Sequence, residues 1–183
     1  MSKLLNGKEL KFYDLLSIME ENFNASLTFT IREFNLSDID FIVEIWVDIL
    51  NWHAEFDQEF ILDPEGRTNF RFVLKSAFSD PSQTVYIALH EEEIVGFVYG
   101  YIKKHSGFFK KRTVAHVSDI AVKENYRRKG IGTALMRRFE LDFARKNGVN
   151  GLSLYVHFNN EQGLNFYEKL GFDIKLASMR KNL

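Results

Sequence analysis

Cysteine is absent from the 183 residues. Without a thiol there is no disulfide, no thiolate zinc site and no cysteine nucleophile, so any acyl transfer must proceed without an acyl-cysteine intermediate. Proline is nearly missing: two residues, beside 11 glycines, leave no seam between domains and no linker. A chain of this length is expected to build a core of its own. No apolar run approaches the ~20 residues that a bilayer-spanning helix needs. The opening stretch MSKLLNGKELKFYDLLSIMEENF is too polar and too acidic for a secretory signal, so a cytoplasmic protein with no membrane partner is expected. Excess charge is missing as well. With 24 basic against 25 acidic residues and a net charge of −1, nothing favours a nucleic acid partner. His53, His90, His105, His116 and His157 show no clustered ligand spacing, and no metal is expected.

What is present is a 45% hydrophobic, 15% aromatic composition that includes 18 phenylalanines, as a folded chain requires. Leu10, Tyr13, Leu15, Leu16, Ile18 and Met19 recur at helical spacing and predict a short amphipathic helix over residues 8–22. LTFTIREF (27–34) alternates like a strand. SDID (37–40) resembles a capping box, ahead of Ile39, Ile42, Val43, Trp46, Ile49 and Leu50 at helical spacing. Asp63-Pro64 reads as a second helix start, leading into Phe70, Val73, Leu74, Ala77 and Phe78. Strand-like runs follow at 84–89, 94–102 and 113–122, with short links that favour antiparallel pairing. A helix after Gly132 turns Leu135, Phe139 and Phe143 inward before Asn147-Gly148 ends it. A strand (151–158), a helix (161–170) and a last strand (172–179) complete the order β-α-α-β-β-β-α-β-α-β. That order predicts an α/β layered fold whose mixed, mostly antiparallel sheet is flanked by helices.

YRRKGIGTAL (126–135) stands where the third strand-like run gives way to a helix. As a solvated turn, its glycines permit tight backbone geometry and its cations face water. As an anion site, the unpaired N–H groups at the helix start and the helix dipole would attract a phosphate beside Arg127, Arg128 and Lys129. A P-loop would need GxxxxGK[ST], and a dinucleotide fingerprint would need a third glycine where Leu135 stands. Neither occurs. What fits is R-x-x-G-x-G, formed by Arg127, Gly130 and Gly132.

That string resembles the pyrophosphate signature of the GNAT superfamily of acetyl-CoA-dependent N-acetyltransferases. A second segment agrees: NNEQGLNFYEKLGF (159–172) is similar to the family's N-x-x-A-x-x-x-Y-E-K-x-G-F, with Gly163 where alanine is usual. The resemblance runs from residue 27 to the end, leaving residues 1–26 as an N-terminal helical extension to a domain over 27–183. It implies a GNAT-like fold and acetyl-CoA as donor, lying in a splay between the strands at 114–122 and 151–157. Its pantetheine arm would pair with backbone near Ile120, Ala121 and Val122. The amides of Arg128, Lys129, Gly130, Ile131, Gly132 and Thr133 would hold the pyrophosphate, with Arg127 and Asn160 also at the cofactor.

Acetyl transfer needs an amine that loses a proton, a donor for the oxyanion and an acid for the departing thiolate. Tyr167 matches the family's frequent thiolate acid, and a phenol with pKa near ~10 suits that task; the alternative is a core tyrosine, and the motif context favours the acid. Strand alternation places His116, Ser118, Ile120 and Val122 on one face and Asp119 on the other. His116 falls where some family members carry a catalytic Glu or His. It is a base matched to neutral pH, or else it fills a gap between sheet and helix, with water as the base. The acceptor region implied by the resemblance, ILNWHAEFDQEFILDPEG (49–66), brings Trp52, Glu55 and Asp57 as substrate residues. Aromatic rings beside acids suit a cationic small amine, an aminoglycoside-like compound or a basic peptide. The hairpin 103–112 could be a substrate flap or a homodimer contact. The alternative to an N-acetyltransferase is a non-catalytic acyl-CoA-binding regulatory module.

Overall fold

The structure is a computed structural model that describes residues 3–5, 8–10, 28–55, 57–104 and 113–181. A short hairpin comes first, β1 (Lys3–Leu5) paired antiparallel with β2 (Lys8–Leu10). The helix expected over 8–22 thus begins in a strand, and its residues 11–22 lie outside the described residues. After β3 (Thr30–Glu33), a 3-10 turn (Leu36–Asp38) leads into α1 (Ile39–Ala54), and α2 spans Gly66–Ser79. Then come β4 (Gln83–His90), β5 (Glu93–Lys104) and β6 (Thr113–Val122). α3 (Ile131–Arg138) runs on as a π-helical stretch, Phe139–Arg145, before β7 (Leu152–Leu154) and α4 (Glu161–Lys169).

Among the described residues five strands form the main sheet in the order β3-β4-β5-β6-β7. The first four pair antiparallel and β7 joins β6 in parallel, giving the mixed sheet that the element order predicts. Apolar residues fill both faces. On one, Ile42, Val43, Phe70 and Leu74 of α1 and α2 pack on Val85, Ile87 and Phe97; on the other, Ile131, Leu135, Phe139 and Phe143 pack on Val98, Ala115 and Val117. Val73 and Phe78, which share the helical spacing of α2, stay exposed.

Several local expectations are corrected. The capping box sits at Asn35 and Asp38 rather than Ser37 and Asp40: the Asn35 side chain accepts from Ser37 N at 3.1 Å, and Asn35 N donates to Asp38 Oδ2 at 2.8 Å. Asp38 is chosen because its other contacts are better, with Arg32 donating to both of its oxygens at 2.7 and 3.0 Å. Asp63 caps a turn ahead of α2, accepting from Glu65 N at 2.8 Å, so the helix starts at Gly66. α3 starts at Ile131, before Gly132, because Gly130 takes the left-handed conformation (φ 82) that turns the chain into the helix. β7 is three residues long where 151–158 alternate. Residues 172–179 form no strand, and Ile174, Leu176 and Met179 are 67%, 88% and 95% exposed. Period-2 alternation makes a segment competent to pair but does not by itself supply the partner that makes it a strand. Among the described residues no helix is long and apolar enough to cross a membrane.

Candidate active site

The last rung of the β6–β7 ladder joins Val117 to Leu154. Beyond it β6 continues through Ser118 to Val122, while β7 has ended, and among the described residues no strand pairs with that edge. The result is a wedge with free backbone donors and acceptors on one wall, suited to an extended guest. Ile120, Ala121 and Val122 belong to this wall. At its end, a 3-10 turn (Glu124–Tyr126) passes into the cation run, where Arg128 (φ 63) and Gly130 (φ 82) both adopt left-handed conformations. A non-glycine residue held there signals local strain, which the surroundings must over-determine. The first helical bond runs from Ala134 N to Gly130 O at 3.0 Å, so the N–H groups of Ile131, Gly132 and Thr133 have no partner within the helix. The wedge therefore terminates at a helix N-terminus with an attraction for anions.

The cations are not alike. Arg127 turns back, its Nε donating to Val122 O at 3.0 Å, so it ties the turn to the strand. Lys129 Nζ stands 5.5 Å over the Tyr126 ring, and the Tyr126 hydroxyl donates to Glu93 at 2.7 Å. Asn160 is the N-cap of α4, its side-chain oxygen accepting from Gly163 N at 2.7 Å.

The face that a side chain occupies in β6 is decided by a bulge. Tyr99 opposes Asp119 and Gly100 opposes Val117, which leaves Ser118 as the extra residue. Before the bulge, Ala115 and Val117 lie on the α3 face; after it Ile120 and Val122 do, while Ala121 lies on the α1 face. Strict alternation is thereby broken, and Asp119 joins His116 on the α1 face instead of opposing it. Gly100 makes the bulge possible: a Cβ there would press on the His116 carbonyl and stand 2.7 Å from the Phe139 ring.

Asp119 is half-buried beneath α1, where Trp46 Nε1 donates to its Oδ1 at 3.0 Å. The indole is itself fixed by stacking on Phe70, with ring centroids 4.2 Å apart. Burial pushes the Asp119 carboxyl up from its ordinary value, against the lowering effect of Ser118, Trp46 and His53. Tyr167 reaches the same space from α4. Its hydroxyl is pushed up to about 12 by burial, with the negative charge of Asp119 adding to the rise. Tyr99, on the neighbouring strand, is likewise raised to about 12 by burial and then by Asp119.

His116 sits lower, level with the rungs where β6 and β7 still pair. Its ring lies between Tyr101 and Tyr155, with centroids at 5.3 and 5.0 Å, and Nδ1 is 3.0 Å from Ser153 Oγ. Burial first, and the charge of Lys103 second, lower its pKa, so at neutral pH the imidazole is uncharged.

The acceptor region is braced across the wedge. Asp57 accepts from Glu59 N at 3.0 Å and from His157 Nε2 at 3.1 Å. His53 Nδ1 donates to Ile49 O at 2.8 Å, its ring stacks on Phe60, and Nε2 lies 3.4 Å from Asn160 Nδ2. Trp52 is half-buried against His53, and Glu55 is exposed at the end of α1. Phe56 and the hairpin tip over 105–112 lie outside the described residues. The parts that sequence reasoning did not find are Trp46 and His157 beside the candidate site and the orientation of Asp119. Trp46 keeps the spacing of a core residue, and nothing in a linear pattern says where its N–H points. Among the described residues no group of three or more His, Asp or Glu is placed to hold a metal ion.

Comparison with known proteins supplies an independent line. The sequence model of the acetyltransferase (GNAT) family matches residues 46–172. An uncharacterized N-acetyltransferase of Methanocaldococcus jannaschii is 27% identical over 165 residues, covering 90% of this chain and 69% of that protein. An N-alpha-acetyltransferase of Sulfurisphaera tokodaii is 28% identical over 151 residues, covering 79% and 80%. A crystal structure of a tetramutant protein from Bacillus halodurans superposes with a TM-score of 0.74 at 21% identity, over 84% of this chain and 99% of that one.

Proposed function

From the premise that this chain belongs to the acetyltransferase (GNAT) family, we propose that it moves the acetyl group of acetyl-CoA directly to the amine of a cationic acceptor. The protein is an N-acetyltransferase, an acyltransferase enzyme, in a family that uses acetyl-CoA. One observation carries the reading. The wedge between β6 and β7 opens beside the glycine-led N-terminus of α3, and Tyr167 of α4 is near enough to Asp119, on the β6 wall, for its hydroxyl to be raised by that charge.

In that slot the amides after Arg128 would hold the pyrophosphate, and the free edge of β6 from Ser118 to Val122 would pair with the pantetheine arm. Arg127 acts through the strand, by holding Val122 O. Asn160 acts through α4, by capping the helix that carries Tyr167. Tyr167 is the thiolate's acid: its raised pKa keeps the phenol protonated at neutral pH, so the proton is in place when the C–S bond breaks. His116, uncharged at neutral pH, lies below the wedge at the paired rungs of β6 and β7.

The acceptor enters from the α1 side, past Trp52, Glu55 and Asp57, where rings and carboxylates favour an ammonium. The N-alpha-acetyltransferase among the relatives supports a peptide α-amino group as the acceptor. Such a group has an ordinary pKa near ~8, easier to deprotonate at neutral pH than an alkylamine near ~10. An acceptor panel with acetyl-CoA and free-thiol detection tests this. Thiol release is expected with basic peptides, and more weakly with polyamines and aminoglycosides. Acetylation solely of neutral or acidic amino acids would overturn it.

A further inference from the structure

Resting on the acetyl-transfer reading, we propose that Asp119 is a catalytic residue: its carboxylate receives the acceptor's ammonium in the cleft and removes the proton before the nitrogen attacks, and Trp46 is the positioning residue that holds it there. The placement comes from the bulge. Ser118 is squeezed out opposite Tyr99 and Gly100, and the next residue swings onto the α1 face where the β6–β7 wedge has already opened. There the carboxylate meets donors that carry no full charge, the indole N–H at 3.0 Å and the Ser118 hydroxyl. Among the described residues it makes no ion pair with a lysine or arginine. A half-buried carboxylate so placed gains from an incoming cation what it otherwise lacks.

The groups that face Asp119 are Trp46 and His53 from α1, Tyr99 from β5, Ser118 on its own strand and Tyr167 from α4. None of them supplies a permanent positive charge. His116, by contrast, is enclosed by Tyr101, Tyr155 and Ser153 at a level where the strands are still paired. The charge of Asp119 raises the hydroxyls of Tyr167 and Tyr99, and Asp119 and His53 each act on the other.

The step balances. The ammonium gives one proton to Asp119. The freed lone pair forms the C–N bond to the thioester carbonyl carbon, and the C–S bond breaks with its electron pair on sulfur. Tyr167 protonates that thiolate, and the second proton on the new amide nitrogen returns to the tyrosinate. The products are the acetylated amine, free CoA thiol and one proton, which Asp119 releases to water. The order is also cooperative. Once the ammonium's proton reaches Asp119, the negative charge that helps hold Tyr167 high is gone, and the phenol becomes a better acid as the thiolate leaves.

Asp119→Asn keeps the shape and the acceptor for Trp46 while removing the base. Its kcat/KM with a peptide or alkylamine acceptor should fall about 10²–10³-fold, with the dissociation constant for acetyl-CoA unchanged. With an alkoxyamine, which is largely unprotonated at neutral pH, the loss should be less than about tenfold, and the residual rate with alkylamines should climb with pH as the free amine accumulates. Trp46→Phe keeps the carboxylate but frees it, and should lower kcat/KM for ammonium acceptors about tenfold while sparing the alkoxyamine. The same loss with both acceptor types in either variant would mean a structural role only and overturn the proposal. So would an Asp119→Asn enzyme with wild-type turnover and an unshifted pH profile. Wild-type protein that releases no thiol with any acceptor would overturn the transfer reading and this proposal together, whereas wild-type turnover with an indifferent Asp119 would sink only the latter.

Discussion

Asp119 is held in the folded protein at a cost in stability. Burial raises its pKa above the ordinary 3.8, so the charged form is worse off folded than unfolded. The sign follows: below 3.8 both states are protonated and the residue is neutral in effect, and as pH rises past that value the folded state loses stability until its own raised pKa is passed. Asp119→Asn removes the charge and keeps the Trp46 bond, so it should melt higher than wild type at neutral pH, by about 2–4 °C for each kcal/mol gained at this chain length. The gap should close when both are melted in acid below pH 4. A neutral-pH melting temperature equal to or below that of wild type would refute the account. Tyr167 and Tyr99, both pushed up to about 12, sit in the same poorly solvated space and hold their protons throughout the neutral range.

Local elements carry constraints that their own residues do not announce. The 3-10 turn ahead of α1 is closed by Asp38, whose carboxylate takes the Asn35 amide and both arms of Arg32. Burial would raise Asp38, but the Arg32 and Asn35 hydrogen bonds outweigh it and hold the carboxyl below its ordinary value. A lowered carboxyl stabilises above its unfolded pKa, and the benefit is lost as pH falls through the folded value. Asp38→Ala should therefore cost about 2–3 kcal/mol near pH 7, from a lost cap and a lost charge-assisted bond. Chemical denaturation should show the deficit shrinking in acid; a deficit independent of pH would assign the loss to packing instead. The bulge in β6 depends on Gly100 in the same hidden way, since a Cβ there would meet the His116 carbonyl and the Phe139 ring. Gly100→Ala should cost about 1–3 kcal/mol and, by shifting the bulge that aims Asp119, should lower kcat more than KM is raised. Unchanged turnover in a folded Gly100→Ala protein would separate the bulge from the chemistry. These two elements also mark where linear reading stops. Helical spacing gave the buried faces of α1 and α3 through Ile42, Val43, Leu135 and Phe139. Counting by twos along β6 failed at Ser118, because a bulge is a property of the pair of strands and the glycine that permits it lies on the other one.

Taken together, the molecule is two apolar layers on either side of a sheet that has been parted at one edge. The strands and helices that build it were readable because core burial imposes periodicity, and the glycine-and-cation turn was readable because its residues are contiguous at 126–132. The proposed acceptor side draws on Trp46, His53, Asp57, Asp119 and His157, which only folding brings near one another. Residues 172–179 erred in the opposite direction: they alternate as a strand should, yet form none. On the proposed reading the two sides of the cleft belong to different elements, the donor seat to α3 and the edge of β6, the acceptor seat to α1 and the face of β6. Donor binding should then be separable from proton transfer. At acetyl-CoA concentrations ~100 times its dissociation constant, linkage gives about 2.7 kcal/mol of added stability, or roughly 5–11 °C in melting temperature for a chain of this size. Asp119→Asn should show the same increment, starting from its higher baseline. Gly130→Ala, whose φ of 82 has no ease for a side chain, should lose most of it by misaiming the amides that follow. Thermal melts of the three proteins with and without acetyl-CoA decide the matter: an increment lost in Asp119→Asn but kept in Gly130→Ala would place the donor on the wrong side of the cleft.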